Sequence, residues 1–498
     1  MPDARGSAVR LFAAFETRPD KAAVEFAGRV FTYGEIGRLA SRFAAGLAAF
    51  HVLPGDAVAV RMATGPETVV ALLGILRFGA VHVPLNPSLT GEETLHVLSD
   101  SGAKLTVARS GSHGPYDRHV TFEEVLAAGR ETGRTDGPLP GDEAIALLLY
   151  TSGTTGTSKG VELSVGAVVS NLLSVTSLWR ITERDRLAIT LPLFHIHGLG
   201  LGVLGSVLQG ATVLLFDGFD PATIVSAFGS GGATVFMGVP TMYVRLLEHL
   251  GREPAAGAAL SKARLFTSGS APLPPGDFAA FRAATSHAVL ERYGMTETFF
   301  TLSNPYEGER RPGSVGLPVP GCEIRIVDDA GRSLPDGEAG ELVVKSNGML
   351  TRYRNRPGET AASFRDGWFL TGDVAARSPD GYVTLHGRKS VDFVKSGGYR
   401  ISAREIEEIL KRHPQVRDVA VVGLPDRVWG QRVAAAVVAA AGADITRLGG
   451  ELRELAAASL APYKQPREIV VLPELPRTPL GKVQKNALAA ELARRTDG

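Results

Sequence analysis

The sequence predicts an α/β protein with a large N-terminal domain built on parallel sheets, an appended β subdomain, and a small α+β domain at the C-terminus. Three observations carry this. Strand-like apolar runs alternate with amphipathic helical segments from about residue 30 to residue 300, the pattern of a mostly parallel sheet. After residue 310 the texture changes to short strands broken by Gly, Pro and Asp turns. A last segment of roughly 110 residues, opening near "GRKSVDFVKSGG", mixes helix and strand within the size of a small domain. At 498 residues the chain is also too long for one hydrophobic core.

In chain order, "AIALLLY" (144–150), "RLAITLPLF" (186–194), "ATVLLF" (211–216), "ATVFMGV" (233–239), "ARLFT" (263–267) and "HAVLERY" (287–293) read as strands. Helix starts follow Ser164, Asp220-Pro221 and Thr241. Five of the runs end in polar or glycine-rich stretches: "TSGTTGTSKG", "HIHG", "PTMY", "SGSAP" and "GMTET". In open parallel sheets ligands bind outside the carboxyl ends of the strands, so these stretches are expected to face one site. The segment "RPGSVGLPVPGCEIRIVDDAGRSLPDGEAGELVV" reads as antiparallel. In the last domain Ser402 and Glu405 form a capping box that opens the helix "REIEEILKRH". The strands "VRDVAVVGL" and "QRVAAAVVAA" follow, and the tail reads "PRTPLGKVQK".

Composition narrows the function. Hydrophobic content of 44% with 21% charge is that of a globular protein, and Lys+Arg 53 against Asp+Glu 52 leaves no basic excess for nucleic acid or an acidic bilayer. The one cysteine, Cys322, excludes an internal disulfide and fits a reducing cytoplasm. The N-terminal segment lacks the apolar core of a leader, and "VAAAVVAAAGA" from Val433 falls short of the ~20 residues of a spanning helix. A cytoplasmic enzyme acting on small molecules is expected, with no membrane or protein partner evident.

Several short motifs mislead. A P-loop needs G-x-x-x-x-G-K-[ST], and here Ser158 precedes Lys159 while Gly160 follows it. "GTSKG" (156–160) matches the G-x-S-x-G elbow of hydrolases, yet Ser158 sits deep in a loop rather than between strand and helix. "GLGVLG" (200–205) matches G-x-G-x-x-G, which keeps an NAD-dependent oxidoreductase as a remote alternative. "HIHGL" intervenes before its glycines and Asp217 comes early, so a glycine-lightened helix packed on the sheet is the plainer reading. His195 and His197 share a spacing suited to metal ligation, but no third ligand stands at a recognisable distance.

"YTSGTTGTSKG" (150–160), "YGMTET" (293–298), "TGD" (371–373), "GRKSVDFVKSGGYRIS" (387–402) and "PRTPLGKVQK" (476–485) together resemble the adenylate-forming superfamily of acyl-CoA synthetases, adenylation domains and firefly luciferase. The resemblance covers nearly the whole chain. It implies an N-terminal domain over 1–387 holding ATP and the acid, and a mobile C-terminal domain over 388–498. Thr151, Ser152, Gly153, Thr154, Thr155, Gly156 and Lys159 would cradle the β- and γ-phosphates. Thr296 would meet the α-phosphate and Glu297 the Mg²⁺. Gly269, Ser270, Ala271, Glu291, Arg292 and Tyr293 would frame the adenine, and Asp373 with Arg388 the ribose. Lys482 would orient carboxylate and phosphate once its domain swings in. A second pose would bring Lys395, Ser396, Gly397, Gly398 and Tyr399 to coenzyme A. Ser390 stands where the family's hinge usually carries Asp or Lys, a departure from the pattern.

The physical logic agrees, because two like-charged reactants must be brought together by positioning and by positive charge. The acid pocket is expected at His195, Ile196, Arg245, Ser268, Arg292 and Met295. Two arginines beside an acyl pocket call for a second carboxylate, since a buried unpaired cation is costly and guanidinium matches carboxylate in bidentate fashion. "LPLFHIHGL", "GVPTMYVRLLE", "SGSAPLP" and "LERYGMTET" are similar to malonyl-CoA synthetases, which implies malonate, with methylmalonate accepted if Ile196 and Met295 leave room. A monocarboxylate CoA ligase of short or medium chain length, and an adenylation enzyme loading a carrier protein, are the alternatives.

Overall fold

A computed structural model describes residues 6–109, 119–131, 137–151, 158–389, 392–396, 399–426, 429–460, 462–478 and 481–496. The chain forms two compact units, Met1–Glu323 with Val344–Phe369, and Ile324–Val343 with Leu370–Gly498. The architecture is α/β, as the sequence predicts.

In the first unit one sheet runs Leu317–Pro318, Phe299–Ser303, Leu290–Met295, Leu265–Ser268, Val235–Gly238, Arg186–Ile189, Thr212–Leu215, Ala22–Phe26, Arg29–Thr32. From Leu290–Met295 to Ala22–Phe26 neighbouring strands are parallel. Arg186–Ile189, Thr212–Leu215 and Val235–Gly238 are shorter than their apolar runs, whereas Leu265–Ser268 and Leu290–Met295 extend past the C-terminal ends of theirs. Ser164 and Asp220 cap helices as predicted, accepting from Ala167 N at 3.2 Å and Thr223 N at 2.8 Å. The helix expected after Thr241 starts at Pro240 instead, since proline's fixed φ suits the first helical position. An aromatic cluster of Phe236, Tyr243, Phe266 and Phe281 packs helices against this sheet. The Tyr243 hydroxyl is satisfied by donating to Thr267 O at 2.8 Å.

"GLGVLG" belongs to a buried π-helix, His197–Gly205. Its glycines allow close packing: a Cβ on Gly198 would stand 2.6 Å from Pro192 O, and one on Gly202 would stand 3.1 Å from the Ile189 side chain. A dinucleotide fingerprint would need a glycine turn opening a helix directly after a strand, which is absent here.

A second sheet of this unit places Arg352–Tyr353 beside Lys159–Ser164, then Ile145–Thr151, Val81–Pro84, Ala57–Arg61, Leu105–Ala108 and His119–Thr121.

In the second unit the C-terminal strands Tyr399–Ser402, Phe393–Ser396, Gly430–Ala439 and Val416–Asp426 pair antiparallel, with Glu468–Val471 parallel to Gly430–Ala439. Side chains alternate along Val416–Asp426. Val419 and Val421 meet Ile406, Leu448 and Leu452 on one face, while Ala420, Val422 and Leu424 meet Leu488 and Leu492 on the other. Ser402 caps Ala403–Leu410 by accepting from Glu405 N at 3.3 Å. The Glu405 carboxylate is drawn to Lys464 Nζ, at 2.7 and 2.8 Å, so an ion pair takes the place of the reciprocal half of the box.

Candidate active site

Strand register explains why distant segments meet. Gly238 lies opposite Ser268, Ser268 opposite Glu291, and Met237 opposite Ile189. The stretches "HIHG", "PTMY", "SGSAP" and "GMTET" therefore leave adjacent strand ends of one sheet.

Arg292 is the centre of what gathers there. It is 5% exposed, and its Nε and Nη2 have no hydrogen-bond partner among the described residues. The guanidinium lies 4.6 Å from the Phe300 ring centroid. It can press so close to the backbone because residue 269 is glycine: a Cβ there would stand 2.5 Å from Arg292 Cζ. Burial pulls the pKa of Arg292 down to about 9. Around it His195 Nε2, His197 Nε2 and Ser268 Oγ are also buried and unpartnered. Burial lowers His195 to about 4, and burial, then Arg292 and His195, lowers His197 well below the usual imidazole range. Both rings are neutral at physiological pH, so the pocket offers one cation and several neutral hydrogen-bonding groups. Ser270 holds a left-handed φ of 69° and places its hydroxyl 3.4 Å from His197 Nδ1. Strain of this kind persists where the surroundings over-determine it, as at ligand sites. Ile196, Met295 and Ala271 are half-buried alongside.

Arg245 does not join this pocket. Its side chain is exposed on the helix Pro240–Arg252, with the guanidinium 5.0 Å over the Phe219 ring. The helix turns its Tyr243–Leu246–Leu250 face to the core, which leaves position 245 outward. The expected pair of arginines is thus one arginine.

Glu291 is spent on scaffold: its carboxylate accepts from Leu273 N and Gly313 N, each at 3.1 Å. That ties "SGSAPL" to the 311–314 loop. The Tyr293 hydroxyl reaches Met295 Sδ at 3.8 Å.

Thr296 is half-buried in the turn after Leu290–Met295, and Glu297 is 8% exposed. The Tyr353 hydroxyl donates to Glu297 Oε1 at 3.1 Å. The Tyr353 ring lies 5.5 Å from Lys159 Nζ, and Lys159 forms an ion pair with Glu359, whose carboxyl that contact holds low. One tyrosine therefore touches both the expected metal ligand and the expected phosphate lysine. Sequence reasoning missed Tyr353 and Glu359, because no spacing in "RYRNRPGET" relates them to Glu297. Thr151 pairs with Lys159 across the hairpin. Ser152, Gly153, Thr154, Thr155 and Gly156 lie outside the described residues.

In the second unit Asp373 and Arg388 are cross-strand partners, and Arg388 Nε meets Asp373 Oδ1 at 2.9 Å. Arg388 Nη1 also donates to Thr371 O at 3.2 Å. The pKa of Lys482 is lowered by desolvation and Arg388, against the opposing pull of Asp373 and Asp392. Its ammonium therefore lies in the field of the predicted ribose pair although the residue is exposed by area. Phe393–Ser396 and Tyr399–Ser402 form a hairpin with Ser396 buried. Gly397, Gly398 and Ser390, and the side chains of Lys395 and Tyr399, lie outside the described residues.

The family model of AMP-binding enzymes matches residues 11–354, and that of the AMP-binding enzyme C-terminal domain matches 405–482. The chain belongs to the AMP-binding, adenylate-forming enzymes. The mitochondrial malonate–CoA ligase ACSF3 of Mus musculus is 39% identical over 381 residues, covering 70% of this chain and 64% of that relative's length. A feruloyl-CoA synthase of Amycolatopsis is 36% identical over 94% of this chain and 95% of its own. Among solved structures, ATP-bound MatB from Rhodopseudomonas palustris superposes with a TM-score of 0.90 at 34% identity, covering 98% of this chain and 99% of that one. Among the described residues no helix is long and apolar enough to cross a membrane.

Proposed function

We propose that this adenylate-forming enzyme activates malonate, and methylmalonate where Ile196 and Met295 admit the methyl, and passes the acyl group to coenzyme A. In the first step a carboxylate oxygen attacks the α-phosphorus of ATP and pyrophosphate leaves. In the second the CoA sulfur attacks the acyl carbon, AMP leaves, and the thiol proton passes to solvent. The observation that carries the acid is Arg292, buried with two unpartnered nitrogens. A dicarboxylate satisfies it with one end and presents the other to ATP, and the similarity to a malonate–CoA ligase supports the same reading.

The remaining roles follow the chemistry of each group. Thr151 through Gly156 and Lys159 hold the leaving pyrophosphate, and Thr296 the α-phosphate. Glu297 suits Mg²⁺, a hard cation that takes one or two carboxylates and fills its shell with phosphate oxygens and water. When bound, Mg²⁺ would offset charge on the phosphates. Gly269, Ser270, Ala271 and Tyr293 flank the adenine, Asp373 and Arg388 the ribose, and Lys395 through Tyr399 the pantetheine. Residues 1–387 bind ATP and acid, while 388–498 move and carry Lys482. A cytoplasmic location belongs to the same reading and rests on the lone, buried Cys322.

The test is pyrophosphate release with ATP, Mg²⁺ and CoA over malonate, methylmalonate, succinate, acetate, butyrate, octanoate, benzoate and ferulate. Malonates are expected to lead. Preference for a monocarboxylate such as ferulate would keep the adenylation chemistry and overturn the counter-ion role of Arg292. Activity appearing only with a carrier protein would replace CoA as the acceptor.

A further inference from the structure

Three residues beyond Lys482 stands a second lysine that the mechanism above does not use. Lys485 opens the helix Lys485–Thr496, and its side chain is 13% exposed. A cation at a helix N-terminus opposes the macrodipole, and a buried one demands compensation. Two carboxylates provide it: Asp392 Oδ1 at 2.5 Å and Glu407 Oε1 at 2.8 Å. Both are fixed from the backbone, Asp392 by accepting from Arg388 N and Glu407 by accepting from Val421 N, each at 2.7 Å.

Asp392 also lies within the field of Lys482. A carboxylate so placed is a rival to substrate: if it lacked its own cation it would draw the Lys482 ammonium into an ion pair. Burial opposes the charge on Lys485, but Glu407 and Asp392 outweigh it and hold its pKa above the usual lysine value, so Lys485 stays charged and keeps both acids occupied.

We infer that Lys485 is a positioning residue that sequesters Asp392 and thereby leaves the Lys482 ammonium free for the anionic reactants. This rests on the reading of Lys482 given above, so the experiment separates the two. Adenylation is read as acid-dependent exchange of labelled pyrophosphate into ATP, and thioester formation as turnover of supplied acyl-adenylate with CoA. Lys482→Ala should abolish exchange; if exchange persists, the role of Lys482 itself is wrong. Lys485→Gln should cut exchange by about 10- to 100-fold, the span of coupling between charged neighbours. Thioester formation should stay within about twofold, as for a substitution outside the reacting groups. Adding Asp392→Asn should restore most of the lost exchange, and Lys485→Arg should retain it. The alkaline limb of the Lys485→Gln exchange profile should move to higher pH, because pairing with Asp392 raises the pKa of Lys482. A scaffold role predicts the contrary: both steps fall together, Asp392→Asn restores nothing, and the limb stays. If Lys485→Gln does not fold, Glu407→Gln decides. Lys485 still holds Asp392 there, so exchange persists if sequestration matters and is lost if the triad is only scaffold.

Discussion

Arg292 and Arg245 are the same residue type beside the same motifs, yet their surroundings give them opposite meanings. Arg292 is buried with nitrogens to spare, and a missing counter-ion there costs several kcal/mol, whereas Arg245 keeps its hydration and stacks on Phe219. Arg292→Ala should therefore lower kcat/KM for malonate by about 10²-fold, as when a buried charge loses its partner. Acetate, with no second carboxylate, should lose far less, and equal losses for both acids would contradict the counter-ion role. Arg245→Ala should stay within about twofold for malonate, as surface substitutions do. Steady-state kinetics on the two acids checks all of this. The sequence exposed both arginines as candidates but could not rank them, since burial depends on which face of a helix its neighbours cover.

The π-helix His197–Gly205 shows what spacing alone hides. A G-x-G-x-x-G pattern reads as a phosphate loop, but here its glycines let a wider helix lie against the backbone of Leu191 and Pro192 and the side chain of Ile189. His197, its first residue, is thereby held in the pocket beside Ser270 and Arg292. Gly198→Ala would drive a methyl to 2.6 Å from Pro192 O, overpacking that costs about 1–3 kcal/mol. A fall in the thermal midpoint together with a raised KM for malonate is expected, and an unchanged melt with unchanged kinetics would show that the segment relaxes freely. The existence of this element was legible as an apolar glycine-rich run. Its π geometry was not, because that follows from what packs around it.

Across the whole molecule, the proposed function assigns one lysine, Lys482, to one half-reaction. Lys482→Ala is expected to abolish adenylation while turnover of supplied acyl-adenylate with CoA survives, measured as the two half-reactions separately. Loss of both would mean that Lys482 serves thioester formation too, or that its loop is needed for the fold. The alternation of strand and helix, the change of texture after residue 310 and the α+β tail were all legible, because hydrophobic period and turn chemistry are local. Long-range partnerships were not, as with Tyr353 and Glu297, 56 residues apart and joined only where two sheets of the first unit approach.

What the sequence alone determined is the superfamily, through five motifs in order, and the family models match it too. Tertiary structure decided how those groups are used. It turned Arg245 outward and buried Arg292, spent Glu291 on backbone amides, brought Tyr353 between Lys159 and Glu297, and gave Asp392 its own cation in Lys485. The physical reason is that a side chain's type sets what it can donate or accept. Its burial and partners set whether that capacity is still available to a substrate, and both come from contacts between residues far apart in the chain.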